Sequence, residues 1–580
     1  TVLIAIEHLL ADLLGREATN PVFHKGIYFG VYELTLDAAG IALLAGCVRF
    51  LMRRWRGKGS FARHWSDWVV LALLLAIGLT GYLVEGLRII HAQTLLPGLS
   101  PVGYIVSQTF VLAGVNQILA GKLHWCLWWG HAWMALGFIA LMPYTRLLHS
   151  LAGMLNLVVR DNRLGMLHAV DMEEVEETGT LGVGVIGDLT WQQRVELDAC
   201  VSCGRCQDAC PAYEAGKPLS PRNVVQDLVS YVNAGGEALE RALHGDTISS
   251  ETLWSCTTCN NCTFVCPLGI SPMRLITDMR RHLIVEGGLR GSPATALQKT
   301  QRTGNPWGLP ANDRMQWAKG LDVPTVEDCP DFEILYWIGC AASFDRRLQK
   351  VARSVVQLLT AANVKFAVLG KQEKCTGEAA RRMGDELLFQ EVAVANVETL
   401  REHKVRRIVS HCPHCVNSFR SDYPQVGGDY EVLHHSQLLT ELLTEGRLKI
   451  STSSPEAEQA ITYHDPCYLA RVQETVDEPR AVLSAASGAS LPIVELPRNG
   501  CDTACCGGGG GRMWFDDAPD ERIGQGRIDE IMNSGVATVA VSCPFCMTMI
   551  SDGVAARKAG IEVKDIAELL VDSIDEVSLT

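Results

Sequence analysis

Two runs of cysteine constrain this chain more than anything else in it. Cys200-x-x-Cys203-x-x-Cys206-x-x-x-Cys210-Pro211 is followed by Cys256-x-x-Cys259-x-x-Cys262-x-x-x-Cys266-Pro267. At this spacing three close thiolates hold one [4Fe-4S] cube while the fourth reaches a second cube. A zinc site needs only cysteine pairs and leaves the third, the fourth and the proline unexplained. The expected assignment is Cys200, Cys203, Cys206 and Cys266 on one cluster, with Cys256, Cys259, Cys262 and Cys210 on the other. The 45 residues between Cys210 and Cys256 carry helical patterns, which predicts an α-helical two-cluster ferredoxin domain over 191–330. The chain has 21 cysteines in 580 residues, too dispersed for the disulfide-stapled class, whose members are usually under ~100 residues. Its net charge of −14 offers no basic footprint for nucleic acid.

Much of the apolar excess lies in the first 150 residues. Residues 26–52, 65–90 and 125–148 are each long enough to cross a ~30 Å hydrocarbon layer, which takes about 20 helical residues. Arg53, Arg54, Arg56, Lys58 and Arg63 crowd the loop after the first span, so that loop is expected in the cytoplasm and the N-terminus outside. Residues 101–120 are apolar but broken by Ser107, Gln108, Asn116 and Gln117. We read them as an interfacial helix, which returns everything after Arg160 to the cytoplasm. The chain begins with Thr, as expected of a processed chain or a sequence that starts late, and residues 1–14 resemble no complete signal peptide. Residues 161–190, rich in acids and glycine, read as an ordered linker.

His131 and His149 are 18 residues apart. On one continuous helix that is five turns, placing both on one face ~27 Å apart, the geometry for two stacked b haems. Each haem needs a second imidazole: His64 for the inner one with His149, and His24, His91 or His124 for the outer one with His131. A single haem is the alternative. Lys25, Glu85, Arg88 and His91 are the polar groups expected near the outer end, where a quinone headgroup would bind; snorkelling side chains are the alternative.

Residues 331–580 contain an internal repeat, taken as domains over 331–450 and 451–580. The first copy has Cys340, Cys375-Thr376-Gly377 and Cys412-Pro413-His414-Cys415; the second has Cys467, Cys505-Cys506-Gly507 and Cys543-Pro544-Phe545-Cys546. The gaps agree: 34 residues from Cys340 to Cys375 and 35 from Thr376 to Cys412, against 37 from Cys467 to Cys505 and 36 from Cys506 to Cys543. Strand-like runs (EILYWIG, VRRIVSHC, VATVAVSC) alternate with helical ones, which places cysteines at the carboxyl edge of an α/β sheet, where sites are built. Gly507 to Gly511 lack the Lys-Ser/Thr ending of a phosphate loop, Arg512 and Met513 standing there instead. These glycines are expected to let backbone pass close to a bulky cluster and donate N–H groups to its sulfurs. His464, Asp465 and His411 neighbour the cysteines and are candidate proton donors. Cys47, Cys126, Cys329 and Cys501 fit no motif.

Three resemblances add to this reading. HAWMALGFIALMPYTRLLHS resembles the last transmembrane helix of the nitrate reductase gamma-subunit family, dihaem cytochromes b with two axial histidines at that separation; this implies an all-α transmembrane haem b domain over 1–160. Residues 200–580 resemble the CCG-domain proteins of the heterodisulfide reductases. In those a five-cysteine set binds a noncubane [4Fe-4S] cluster capable of thiol-disulfide chemistry, which implies that role for Cys467, Cys505, Cys506, Cys543 and Cys546. The first copy departs at Thr376; Cys340, Cys375, Cys412 and Cys415 suffice for a further [4Fe-4S] cluster, and a site without metal is the alternative.

The order of parts, and stretches such as CGRCQDACPAY, GKPLSP, CTGEAARR and CCGGGGGRMW, resemble the membrane-bound electron-transfer flavoprotein:menaquinone oxidoreductases. The resemblance implies an oxidoreductase in the cytoplasmic membrane, its iron-sulfur domains in the cytoplasm. Electrons would pass from reduced electron-transfer flavoprotein or another cytoplasmic partner through clusters and haem to (mena)quinone, with additional subunits allowed. A quinone-linked heterodisulfide or disulfide reductase, and a relay subunit of a glycolate or lactate oxidase, stand as alternatives.

Overall fold

The computed structural model describes residues 26–56, 65–94, 97–161, 163–245, 248–450, 460–487, 493–518 and 521–574. The chain divides into two compact units, residues 1–152 with 201–203, and residues 153–200 with 204–580.

The first unit is helical. Among the described residues, three helices are long and apolar enough to cross a membrane: Gly30–Trp55, Trp65–Ala92 and Gln117–Tyr144. Arg54 donates to Asp67 at 2.7 Å, joining the first two spans at their loop end. The short helix Pro101–Leu112 has 12 residues, about 18 Å of rise, too little to cross. It ends eight residues before the 101–120 expected from sequence. Gly114 takes a φ of +83°, and Asn116 then caps the next helix, its side chain accepting from the Leu119 amide at 2.9 Å. The third span therefore starts at Gln117 rather than at 125.

The expectation of one helix carrying both His131 and His149 fails. The helix holding His131 ends at Leu141, a single 3₁₀ turn covers Met142–Tyr144, and His149 lies in a separate helix, Leu148–Val159. Pro143 is the cause: it has no N–H to give, and its ring crowds the carbonyl four residues back. The five-turn spacing of the two histidines does not hold across this break.

In the second unit, the linker residues 167–170 are pinned by side chains of the first repeat copy and the ferredoxin domain. The carbonyls of Leu167, His168 and Val170 accept from Arg381 (2.9 Å), Arg281 (2.8 Å) and Gln390 (2.9 Å), and Gln425 also donates to Leu167 at 2.9 Å. The two arginines converge on the buried Glu386, Arg281 at 2.9 Å, so each buried charge is paired. Helices Pro221–Ala234 and Pro272–Val285 flank the ferredoxin cysteines and are capped by Ser220 and Ser271.

The repeat forms two four-stranded parallel sheets of identical order. In the first, β1 (Ile334–Trp337), β2 (Phe366–Ala367), β3 (Arg407–Ser410) and β4 (Glu431–His434) run β2-β1-β3-β4; in the second, β5 (Ile461–Tyr463), β6 (Ile493–Val494), β7 (Thr538–Val541) and β8 (Glu562–Asp565) run β6-β5-β7-β8. Register pairs Leu335 with Ile408 and Thr462 with Val539. Both sheets share one hydrophobic core running from Trp317 to Ile574. Helix Arg346–Ala361 buries Leu358 and Leu359 completely, each contributing ~1.5–3 kcal/mol by leaving water.

A buried polar seam links the copies. Tyr336 Oη lies 2.8 Å from His411 Nδ1, and at the matching positions of the second copy Tyr463 Oη lies 2.7 Å from Ser542 Oγ. Across the seam His434 Nε2 meets the Ser542 carbonyl at 3.1 Å and His435 Nε2 meets Asp565 Oδ1 at 3.0 Å.

Candidate iron-sulfur and haem sites

The C-terminal cysteines gather at the carboxyl ends of β5 and β7, the adjacent central strands of a sheet whose order reverses between them, where α/β sheets build sites. Cys467 follows β5. Cys543 caps helix Pro544–Ala556 and Cys546 lies in its first turn, so both thiols face the positive end of a helix dipole. Cys505 and Cys506 enter from the loop between. All five are buried, and Cys506 and Cys546 sulfurs are 3.3 Å apart. His464, fully buried at the end of β5, has no partner on either ring nitrogen. Burial and neighbouring Arg527 push its imidazole down to about 3.

The second ferredoxin motif packs directly on this site. Cys259, Cys467, Tyr468 and Cys505 form one buried cluster. Cys505 Sγ lies 3.5 Å from Thr257 Oγ1, and Thr258 Oγ1 lies 3.0 Å from Tyr468 Oη. The glycine run makes this possible. A Cβ on Gly509 would stand 2.4 Å from the Thr257 carbonyl oxygen, and one on Gly510 2.4 Å from that of Cys256. One N–H does reach a cysteine sulfur, Gly507 to Cys505 at 3.3 Å. The tight approach, expected toward a cluster, is to the neighbouring ferredoxin loop.

Two buried arginines flank that loop. Arg280 spends all its donors on carbonyls: Leu253 (2.7 and 3.0 Å), Cys256 (2.6 Å), Arg382 (2.8 Å) and Gly510 (3.3 Å). Arg471 donates to the carbonyls of Cys259 (3.0 Å), Cys501 (2.9 Å) and Thr503 (2.6 Å). Among the described residues neither pairs with a carboxylate. A buried cation is costly without a counter-charge, and a thiolate-ligated cluster beside these loops would supply one.

In the ferredoxin domain Cys210 lies near Cys256 and Cys259, and Cys262 lies near both Cys210 and Cys206. Asn261 ties the two motifs by donating to the Ala209 carbonyl at 2.8 Å. Cys200 accepts from Gln226 at 3.3 Å; Cys200, Cys203, Cys206 and Cys266 are half-buried.

The first copy of the repeat brings its four cysteines together as well. Cys340 neighbours Cys375, Cys412 neighbours Cys415, and Cys375 lies near Cys415. Thr376, at the missing fifth position, donates its hydroxyl to Cys415 Sγ at 3.7 Å. The buried Arg314 reaches Cys340 Sγ at 3.3 Å and pairs with Glu373 at 3.4 Å. Glu378 beside it overrides burial and raises His414 to about 10, whereas burial and neighbouring His435 hold His411 down at about 3. Cys329 and Cys501 contact Asp331 and the Ala470 carbonyl rather than other cysteines; Cys47 is buried and Cys126 exposed.

In the helical unit His131 is buried, its Nδ1 2.9 Å from Thr80 Oγ1 of the second span. His91 and His124, on facing spans, have ring centroids 6.5 Å apart; Gly121 leaves the room, since a Cβ there would lie 2.7 Å from His91 Nδ1. His149 Nδ1 engages the Arg146 carbonyl. His24, His64 and Lys25 lie outside the described residues. Arg88 does not snorkel: it is held by Glu33 (2.8 Å) and Glu85 (2.7 and 2.9 Å), and Ser100 donates to Glu33. Sequence reasoning missed Glu33, as well as Arg280, Arg314 and Arg471.

The five C-terminal cysteines are buried together, and His464 and the two carbonyl-bound arginines each lack what a cluster would provide. The residues present fit iron-sulfur cofactors. A cavity of about 400 Å³, lined by Arg205, Arg471, Arg498, Cys259 and Cys505 among others, opens onto this region. A larger groove of about 660 Å³ near Arg347 and Lys564 holds none of the cysteines.

Three family models match: nitrate reductase gamma subunit over residues 1–164, 4Fe-4S dicluster domain over 196–270, and cysteine-rich domain over 334–420 and 461–551. The chain is 37% identical to EtfAB:quinone oxidoreductase of Syntrophomonas wolfei, across 96% of this chain and 84% of that protein. It is 33% identical to a probable iron-sulfur-binding oxidoreductase of Bacillus subtilis, across 98% and 86%. With one polypeptide of the dihydromethanophenazine:CoB–CoM heterodisulfide reductase of Methanosarcina barkeri it shares 31%, across 67% and 96%. The layout expected from sequence is thus borne out: a helical membrane domain, a ferredoxin domain and two cysteine-rich domains. The chain belongs to the membrane-anchored iron-sulfur oxidoreductases that include EtfAB:quinone oxidoreductase and relatives of the heterodisulfide reductases.

Proposed function

We propose that this chain takes electrons from reduced electron-transfer flavoprotein on the cytoplasmic side and delivers them to a membrane (mena)quinone. Cys200, Cys203, Cys206 and Cys266 hold one [4Fe-4S] cube, and Cys210, Cys256, Cys259 and Cys262 the other. Cys467, Cys505, Cys506, Cys543 and Cys546 hold a noncubane cluster, and Cys340, Cys375, Cys412 and Cys415 a further cube. His131 and His149 are haem b ligands, with His24, His64, His91 and His124 as the pool of partners. When bound, these groups supply one-electron carriers.

The observation that carries the reading is the burial of Cys259 and Cys505 in one cluster. Cysteines from two different cofactor motifs share one dry contact, so the chain itself sets the separation between neighbouring carriers. Thr257, Thr258 and Tyr468 fill the contact and exclude water. Arg280 and Arg471 fix the backbone of the intervening loop from both sides. Glu33, Glu85 and Arg88, ionisable groups within the spans, are the residues we assign to the quinone headgroup.

Stopped-flow absorbance of the purified protein tests this: reduced electron-transfer flavoprotein is expected to reduce the haem rapidly. A response to a dithiol but not to the flavoprotein would favour the second reading, a quinone-linked disulfide reductase. The cavity that reaches Cys505 is the feature that supports that alternative.

A further inference from the structure

His464 is the first residue after β5, in the loop that carries Cys467. Its amide donates to the Ala540 carbonyl at 2.9 Å, locking the residue into the sheet and fixing the direction of its side chain. A ring nitrogen lies within 4.8 Å of the sulfurs of both Cys506 and Cys546. Yet neither nitrogen has a hydrogen-bond partner, and the side chain is fully buried. An imidazole carries at least one N–H donor whether neutral or protonated, and a donor left unmade inside a protein is expensive.

Three charged side chains act on the ring, Arg527, Asp465 and Glu530, and none of them is hydrogen-bonded to it; Glu530 Oε2 and two of the Arg527 nitrogens are themselves without a hydrogen-bond partner. Asp465 is taken by Arg480 at 2.8 and 3.0 Å and by the Gly500 amide at 2.9 Å. Glu530 pairs with Arg498 at 2.5 Å and with Arg527 at 3.1 Å. Arg527, itself a donor, gives its NH2 group to the Arg498 carbonyl and Thr503. The two sulfurs of Cys506 and Cys546 are the thiols the structure brings within 4.8 Å of a ring nitrogen. The first copy repeats the arrangement: three residues before Cys340 stands Trp337, a fully buried N–H donor that also lacks a partner.

We propose that His464 is a positioning residue that donates a ring N–H to a sulfur of the noncubane cluster, at the edge held by Cys506 and Cys546. The inference rests on the assignment of that cluster to the five C-terminal cysteines. Hydrogen bonds to cluster sulfurs are among the determinants of reduction potential. This donor stabilises the reduced, more negative state and so raises the potential of the site.

The test uses the full-length protein in detergent, with histidine labelled by ¹⁵N, and pulsed electron-nuclear double resonance on the C-terminal cluster in its paramagnetic state. The expected result is a weak histidine nitrogen coupling together with an exchangeable proton coupling, both lost in His464→Phe. That variant is expected to keep the iron and sulfide content of the parent while its midpoint potential moves negative, and His464→Gln, which retains an N–H donor, is expected to recover part of the shift. A strong nitrogen coupling would mean direct ligation to iron and overturn the proposal, as would the absence of any histidine coupling or an unchanged potential in His464→Phe. Loss of about four irons per chain in both variants would make His464 a structural requirement instead. If the parent protein itself shows no noncubane signal, the five-cysteine assignment fails, which is a separate outcome.

Discussion

Gly510 and Cys256 meet backbone to backbone: a Cβ on the glycine would stand 2.4 Å from the cysteine's carbonyl oxygen, and the glycine's φ is +63°. Gly510→Ala is therefore opposed twice, by conformation and by collision with a loop that carries candidate ligands. Gly216→Ala is the control, since Gly216 also has a positive φ, +73°, but open space around it. The control is expected to cost about 1 kcal/mol, and Gly510→Ala well beyond that. Differential scanning calorimetry with iron analysis checks both: Gly510→Ala lowers Tm and iron content, whereas the control leaves iron unchanged.

Four cysteines converge in the first copy of the repeat, so the parent protein is expected to carry about 16 non-haem irons per chain, at four per cluster. Cys412→Ala is expected to bring this to about 12. Thr376→Val removes only the hydroxyl that faces Cys415 and is expected to leave the count at about 16. Colorimetric iron and sulfide assays decide; a parent value of about 12 would mean that the first copy holds no cluster.

Arg280 is a buried cation bound to carbonyls alone. Removing its charge in Arg280→Gln is expected to make the adjacent ferredoxin cluster harder to reduce. Stranding several carbonyls is expected to cost about 3 kcal/mol or more. Arg471→Gln should shift the potential in the same direction. Redox titration followed by electron paramagnetic resonance measures the shift; unchanged potentials in both variants would refute an electrostatic role.

The Glu33–Arg88–Glu85 group predicts a separation of functions. Arg88→Leu leaves two carboxylates without their partner and is expected to slow quinone reduction at least tenfold, about 1.4 kcal/mol in the barrier. Haem reduction by a cytoplasmic donor is expected to continue at the parent rate. Steady-state quinone assays beside single-turnover haem absorbance provide the comparison.

The ferredoxin and repeat cysteines were legible in the sequence because their spacing is local and chemically specific, and the strands around Cys340, Cys412 and Cys543 because short apolar runs end abruptly at them. Cys210 lies near cysteines of the second motif, and Cys206 does as well. Pro143 was also legible: a proline inside an apolar run predicts a break, and weighing it would have separated His131 from His149. Arg280, Arg471 and Arg314 were not legible. Nothing in a linear pattern distinguishes a surface arginine from one enclosed by carbonyls of three distant loops. Glu33 was hidden for a related reason, since its partners Arg88 and Ser100 come from other segments.

The seam between the two sheets bears on how such a repeat came to be fixed. The tyrosines match, but across the contact a histidine at 435 faces an aspartate at 565. The residues at the matching positions of the opposite copies are Ile566 and His434. A pair made from the first half alone would set histidine where Asp565 accepts, and a pair made from the second half would set isoleucine where His435 donates. The two copies have thus become complementary at this contact: the pair takes its histidine from one copy and its aspartate from the other, and two identical copies would not reproduce it.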